Sequence, residues 1–148
     1  MKRIVGLVII LLFSACACPP KKPIPVVLEF RLAEKSSGDG RTEMLFEPTG
    51  EIFYLHEEVL LSNADIASAE VVMGERGPVV QVTMTFSGKA KWAQVTGENI
   101  GKHMAMLVDG VLTSVPTINA PILKGVAIIG GLFTEAEARR IVEGLTVR

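Results

Sequence analysis

The sequence predicts an α+β domain in which an antiparallel β-sheet carries two main α-helices packed on one face. Three observations predict it. Apolar and polar residues alternate in short runs, most cleanly at Val80, Val82, Met84 and Phe86 against Gln81, Thr83 and Thr85, the period of a strand buried on one side. Short glycine-containing turns join consecutive runs, the mark of hairpins. Two stretches, from Gly88 and from Thr134, carry helical spacing instead. Strands and helices layered around one core give the α+β class.

The chain of 148 residues fits one domain. Its formal charge is −1, so no basic excess exists to neutralise phosphates, and nucleic acid is not an expected partner. Cys16 and Cys18 are the only cysteines. They leave nothing for a disulfide framework or a thiolate metal site.

The chain divides into three parts. Residues 1–15 read as a bacterial lipoprotein signal peptide: Lys2 and Arg3, an apolar run from Ile4 to Phe13, then Ser14 and Ala15 before Cys16. The run is too short for a permanent span, which needs about 20 apolar residues. Cys16 is the expected acylation site, with Cys18 the second candidate; Cys16 lies closer to the end of the apolar run. Residues 16–25 form a tether. Within it, Pro19 to Pro25 hold four prolines in seven residues, which favour extended polyproline structure at about 3.1 Å per residue, a spacer of roughly 20 Å. Residues 26–148 form the folded domain. The expected location is the bacterial envelope, anchored by lipid and facing the periplasm or the cell exterior.

Folding begins near Val26. Leu28, Phe30 and Leu32 alternate with Glu29 and Arg31, a half-buried strand. Lys35 to Arg41 is a polar loop. Thr42–Glu47 and Glu51–His56 form a hairpin around Pro48-Thr49-Gly50. Val59 to Leu61 is a short apolar piece, and Ser62 to Asp65 has room for one helical turn. Ala67–Met73 and Pro78–Phe86 are strands flanking Gly74-Glu75-Arg76-Gly77.

Ser87 reads as an N-cap for a helix from Gly88 to Lys102, with Trp92, Ala93, Thr96 and Ile100 on its inner face. Gly97 weakens that helix by up to about 1 kcal/mol relative to Ala. Met104–Val108 is a strand, Asp109-Gly110 a tight turn, and Val111–Val115 a return strand that Pro116 makes irregular or confines to an edge. Val126–Ile129 is a buried strand. Thr134 and Glu137 then form a capping box, with Phe133 stapled against Ala138. Ala138, Ile141, Val142 and Leu145 make the inward stripe of the last helix.

Chemistry-bearing residues are sparse. His56 and His103 are the only histidines, and Glu98 and Asp109 flank His103 in sequence. No nucleophile-elbow serine, histidine pair at metal-ligand spacing or phosphate loop is present. Surface placement is the expectation for His103, which follows a helix, and core packing for Trp92. No catalytic residue, cofactor or metal is expected.

The stretch from Pro78 onward resembles a known family. It carries Thr96, Glu98 and Asn99-Ile100-Gly101-Lys102 at a helix end, then Asp109-Gly110, Ser114-Val115-Pro116-Thr117-Ile118, and Gly130-Gly131-Leu132-Phe133-Thr134. In that order these resemble the head part of the first periplasmic domain of SecD, the membrane subunit that assists protein export. The resemblance is strong over residues 78–143 and weaker over 52–73. It implies a periplasmic, chain-handling domain without catalytic residues. The transmembrane helices and proton-coupling carboxylates of SecD have no counterpart here, so the resemblance does not extend to its motor.

The expected function is therefore a non-enzymatic one. A lipid-anchored module contacts unfolded or partly folded polypeptides in an accessory export role, by strand addition at Val111–Val115 around Thr113 or in an apolar groove between sheet and helix. The alternative is an envelope lipoprotein docking one fixed protein partner, unrelated to export.

Overall fold

The computed structural model describes residues 22–146. Nine strands and two helices follow one another: β1 (Leu28–Glu34), β2 (Arg41–Phe46), β3 (Glu51–His56), β4 (Leu61–Ser62), a 3-10 turn at Asn63–Asp65, β5 (Ile66–Gly74), β6 (Gly77–Met84), α1 (Phe86–Glu98), β7 (His103–Val108), β8 (Val111–Ser114), β9 (Val126–Ile129) and α2 (Glu135–Thr146). No helix among the described residues is long and apolar enough to cross a membrane.

The α+β class, the antiparallel pairing and the two main helices are all present. The strands divide between two sheets. The larger has the order β2-β3-β1-β7-β8, with β4 also paired to β1; the smaller is β5-β6-β9. The division follows from connectivity. β5 and β6 pair tightly through the turn at Glu75-Arg76, and β6 then takes β9 as its other neighbour. β1 instead lies between β3 and β7, running antiparallel to β7 from Leu28↔Val108 to Ala33↔His103.

One core joins both sheets and both helices. Leu28 and Phe30 from β1, Met104, Met106 and Val108 from β7, and Val80 and Val82 from β6 meet Trp92 of α1 and Ile141 of α2. Phe30 and Trp92 touch edge to face, their ring centroids 5.3 Å apart. The larger sheet curls until its ends, β2 and β8, lie side by side. A second apolar cluster forms there from Ala33, Phe53, Leu55, Ala105, Leu107 and Leu112. Burial on both faces explains why β7 reads as an unbroken apolar run rather than an alternation.

Several expectations need correction. The cap of α1 is Thr85, whose hydroxyl accepts from Gly88 N at 3.0 Å, so Ser87 lies inside the first turn. β6 therefore ends at Met84, and Phe86 leaves the strand period and stands 94% exposed. The helix stops at Glu98, and Ile100 beyond it is exposed rather than on the inner face. Leu32 is half-buried while Ala33 is fully buried, because β1 passes from the shared core to the second cluster. The capping box at Thr134 and Glu137 forms as expected: Thr134 N donates to Glu137 Oε2 at 2.7 Å and Glu137 N to Thr134 Oγ1 at 3.2 Å.

The N-terminal approach to β1 is clamped. Asn63 donates to Val26 O at 2.6 Å and accepts from Leu28 N at 2.7 Å. Asp109, at φ 51 in the tight turn, accepts from Val27 N at 2.9 Å. Val26 N donates to Gly144 O at 3.2 Å, and a Cβ at Gly144 would fall 2.4 Å from Val26 Cγ2.

Candidate functional site

The candidate site is a groove built by α1, β7 and the connector of residues 115–125 between β8 and β9. The connector is held along its length. Met104 N donates to Pro116 O at 2.9 Å, and Ile118 exchanges two bonds of 2.8 Å with Gly101 N and Lys102 O. The Ile118 side chain enters the core. Pro121 then lies over Gly97, 3.7 Å from where a Cβ on that residue would stand. Ile122 N donates to Thr96 Oγ1 at 2.9 Å, and Gly125 O accepts from Met84 N at 2.8 Å. The connector thus runs back along α1, from its C-terminus to its N-terminus.

Between these walls lies a cavity of about 630 Å³, lined by Trp92, Thr96, Met104, Met106, Ile118 and Leu123 among others. Its lining is predominantly apolar. Leu123 is 67% exposed and Ile122 beside it 36%. Thr96 is fully buried: its hydroxyl donates to Trp92 O at 2.8 Å, with a longer branch to Ala93 O at 3.3 Å, and accepts from Ile122 N. Trp92 is buried as expected, and its indole Nε1 is buried without a hydrogen-bond partner among the described residues. A groove of this composition suits an apolar stretch of chain. Its volume falls within the range of about 300–1,000 Å³ typical of ligand sites.

A second cavity of about 530 Å³ lies between the β2–β3 turn, the tip of the β5–β6 hairpin and the ends of β8 and β9, lined by Phe46, Pro48, Val79, Thr113, Ile128 and Leu132 among others. The expected edge at Val111–Val115 is β8, which does end the larger sheet. Two features blunt it for strand addition. β2 lies beside it, and the ladder shifts register between Met106 and Leu107, leaving Thr113 at the irregularity with its hydroxyl donating to Met106 O at 3.0 Å.

The structure pairs His56, rather than His103, with a carboxylate. His103 Nδ1 lies 3.3 Å from Thr117 Oγ1 and its ring packs on Phe53. The carboxylates that flank it in sequence are engaged elsewhere: Glu98 accepts from Gln94, and Asp109 from Val27 N and Arg140. His56 Nε2 instead meets Glu34 Oε1 at 2.9 Å, and Arg41 reaches the same oxygen at 3.0 Å. The His56 hydrogen bond, with Arg41 beside it, holds the Glu34 carboxyl below its ordinary range. Among the described residues no group of three or more His, Cys, Asp or Glu side chains can hold a metal ion. Cys16 and Cys18 lie outside the described residues.

An apolar groove between sheet and helix is one of the expected binding modes; that residues 116–124 supply its outer wall was not expected. The signal was there in an apolar connector, where Ile118, Ile122 and Leu123 alternate with Pro116 and Pro121, a composition unlike a solvated loop.

Comparison with known proteins adds the family. The family described as "SecDF, P1 head subdomain" matches residues 41–146. Protein translocase subunit SecD of Rhodothermus marinus is 39% identical over 95 residues, covering 62% of this chain and 15% of that protein. SecD of Elusimicrobium minutum is 36% identical over 102 residues, covering 68% of this chain and 21% of that protein. The chain therefore spans about a fifth or less of the length of these relatives. Two solved structures are similar in fold. A crystal structure of SecDF in a super-membrane-facing form has TM-score 0.65 and 31% identity, covering 81% of this chain and 18% of that one. A structure of SecDF, titled as a membrane component that enhances protein export, has TM-score 0.65 and 28% identity, covering 82% and 62%. The family range begins at Arg41, after β1, although β1 holds the centre of the larger sheet.

Proposed function

The chain belongs to the SecDF P1 head subdomain family, and from that membership we propose that it is a non-enzymatic module that binds extended or partly folded polypeptide in support of protein export, held outside the cytoplasm by acylated Cys16. The observation that carries the binding reading is the apolar groove of about 630 Å³ between α1, β7 and the connector. Protein ligands in extended form present alternating apolar side chains and unpaired backbone groups. The groove offers Met104, Met106 and Leu123 to the former. The non-enzymatic reading is supported by the partners these groups take: His103 meets Thr117, Glu98 accepts from Gln94, and Asp109 pairs with Arg140.

The anchor reading rests on the leader that ends at Cys16 and on the proline-rich tether after it. The periplasmic placement of the head in SecD supports a location in the envelope.

The test is site-specific photocrosslinking in living cells from Ala120, an exposed position on the groove wall, with Glu43 on β2 as the reference. Many exported chains captured at 120 and few at 43 is the expected result. No exported chain at 120 overturns the reading. A single stoichiometric partner in place of many clients overturns it in favour of fixed docking.

A further inference from the structure

The pole of the domain at which the chain enters carries large apolar side chains and unpaired lysines, and we infer that this pole lies on the anionic phospholipid surface of the membrane that holds the tether. The inference rests on the proposed anchor at Cys16 and extends it from a point of attachment to a face of the fold.

Phe86 is the starting observation, at 94% exposed. Its backbone is fixed, since it follows the cap Thr85, whose N–H donates to Asp65 O at 2.8 Å. Asp65 closes the 3-10 turn that begins at Asn63, and Asn63 clamps Val26 and Leu28. Phe86 therefore sits at the same pole as the start of β1. Ile24 at 65%, Val27 at 55% and Val111 at 57% project there too; Val27 O accepts from Asp109 N, two residues before Val111. One exposed apolar side chain needs no explanation. Four around the point where a tether arrives are a different matter.

Charge accompanies them. Lys89 lies in the first turn of α1, and its side chain packs over Gly125, next to Lys124. Neither lysine has an ion-pair partner among the described residues, whereas Lys91 is paired with Asp65 and Arg140 with Asp109. Projecting apolar side chains with two lysines beside Phe86 match the water–lipid interface of an anionic bilayer, where the former enter the headgroup boundary and the latter meet phosphate. Geometry permits the contact. The tether expected from the sequence, residues 16–25, would reach roughly 31 Å as polyproline at ~3.1 Å per residue, which keeps this pole near the membrane.

The experiment places a fluorescent amino acid at Ser87, beside Phe86, or at Glu75 in the β5–β6 turn. β6 runs from that turn to Met84 over eight residues, roughly 25 Å at about 3.3 Å per residue. The full-length protein, purified from membranes, is reconstituted into vesicles containing phosphatidylglycerol or only phosphatidylcholine, and an aqueous quencher is added. The expected result is severalfold lower quenching at 87 than at 75 in phosphatidylglycerol vesicles. That difference disappears in phosphatidylcholine and in the Phe86→Ser/Lys89→Gln/Lys124→Gln variant. Equal quenching at 87 and 75 overturns the inference, as does shielding at 87 that survives the triple variant, the result a covering protein partner gives. The mass of the N-terminal peptide reports acylation separately: an unmodified Cys16 with position 87 shielded overturns the anchor alone, and an acylated Cys16 with position 87 open overturns the surface alone.

Discussion

Thr96 accepts the backbone N–H of Ile122 at 2.9 Å while its own hydroxyl donates to Trp92 O at 2.8 Å. One buried hydroxyl thus ties the connector to the helix it runs along, and the groove between them keeps its shape. Thr96→Val removes both bonds and orphans the Ile122 donor. Such a loss costs about 1–3 kcal/mol. Urea unfolding should show that drop, and hydrogen exchange should show faster loss of protection at Ile122; Thr96→Ser should keep most of both.

Gly97 and Gly144 should respond in opposite directions to the same substitution. A Cβ at Gly97 meets Pro121 at 3.7 Å, an ordinary contact, so Gly97→Ala gains helix propensity of up to about 1 kcal/mol. At Gly144 the Cβ would fall 2.4 Å from Val26 Cγ2 and 2.6 Å from Ile24 O. Gly144→Ala must push the N-terminal segment off α2 and should destabilise by about 1–3 kcal/mol. Thermal melts of the two variants read both signs.

Asp109 does more than turn the chain. Its carboxylate accepts from Val27 N at 2.9 Å and pairs with Arg140 at 3.2 Å. Asp109→Ala also places a residue less suited to positive φ at φ 51. We expect a loss of about 1–2 kcal/mol and faster amide exchange at Val27, with the groove amides at Ile118 and Ile122 unchanged.

Acid should weaken the fold through three glutamates whose carboxyls titrate below the ordinary value of 4.5. The cause is His56 and Arg41 for Glu34, Lys35 and Thr49 for Glu51, and the Thr134 backbone and hydroxyl for Glu137. A folded-state pKa below the unfolded one contributes stability that is complete above the unfolded value and is lost as pH falls through the folded one. The melting temperature should hold from neutral pH toward 4.5 and fall below it. Glu137→Gln keeps a capping-box side chain without a titrating group, so its melting temperature should fall less steeply in acid.

Acylation is checked directly by metabolic labelling with fatty acid. Label should enter the wild type and the Cys18→Ser variant and be absent from Cys16→Ser. Label retained in Cys16→Ser would move the anchor to Cys18.

The local signals were legible where neighbours in sequence decide the outcome. The Asp109-Gly110 turn has both residues at positive φ, the Thr134–Glu137 box closes, and β6 buries Val80, Val82 and Met84 on one side. Each depends on contacts within a few residues, which composition and spacing report. The cap of α1 was displaced from Ser87 to Thr85 because two hydroxyl residues stand two apart. Which of them caps depends on where β6 releases the chain, and that is set by Ile66↔Met84 and by the bond from Thr85 N to Asp65 O.

Alternation, turn chemistry and the leader with its cysteine are properties of the chain read in order, and they specified the α+β class, the hairpins, the two helices and the expectation of an anchor. Partner choice between distant segments is not written in that order. Only packing placed β1 between β3 and β7, divided the strands into two sheets, drew residues 115–125 along α1 to make the groove, and left Phe86 outside the core that its strand spacing suggested. The physical reason is the range of the interaction. A turn or a cap is satisfied by atoms a few bonds away, whereas burial is shared among side chains that meet only after the chain has closed on itself.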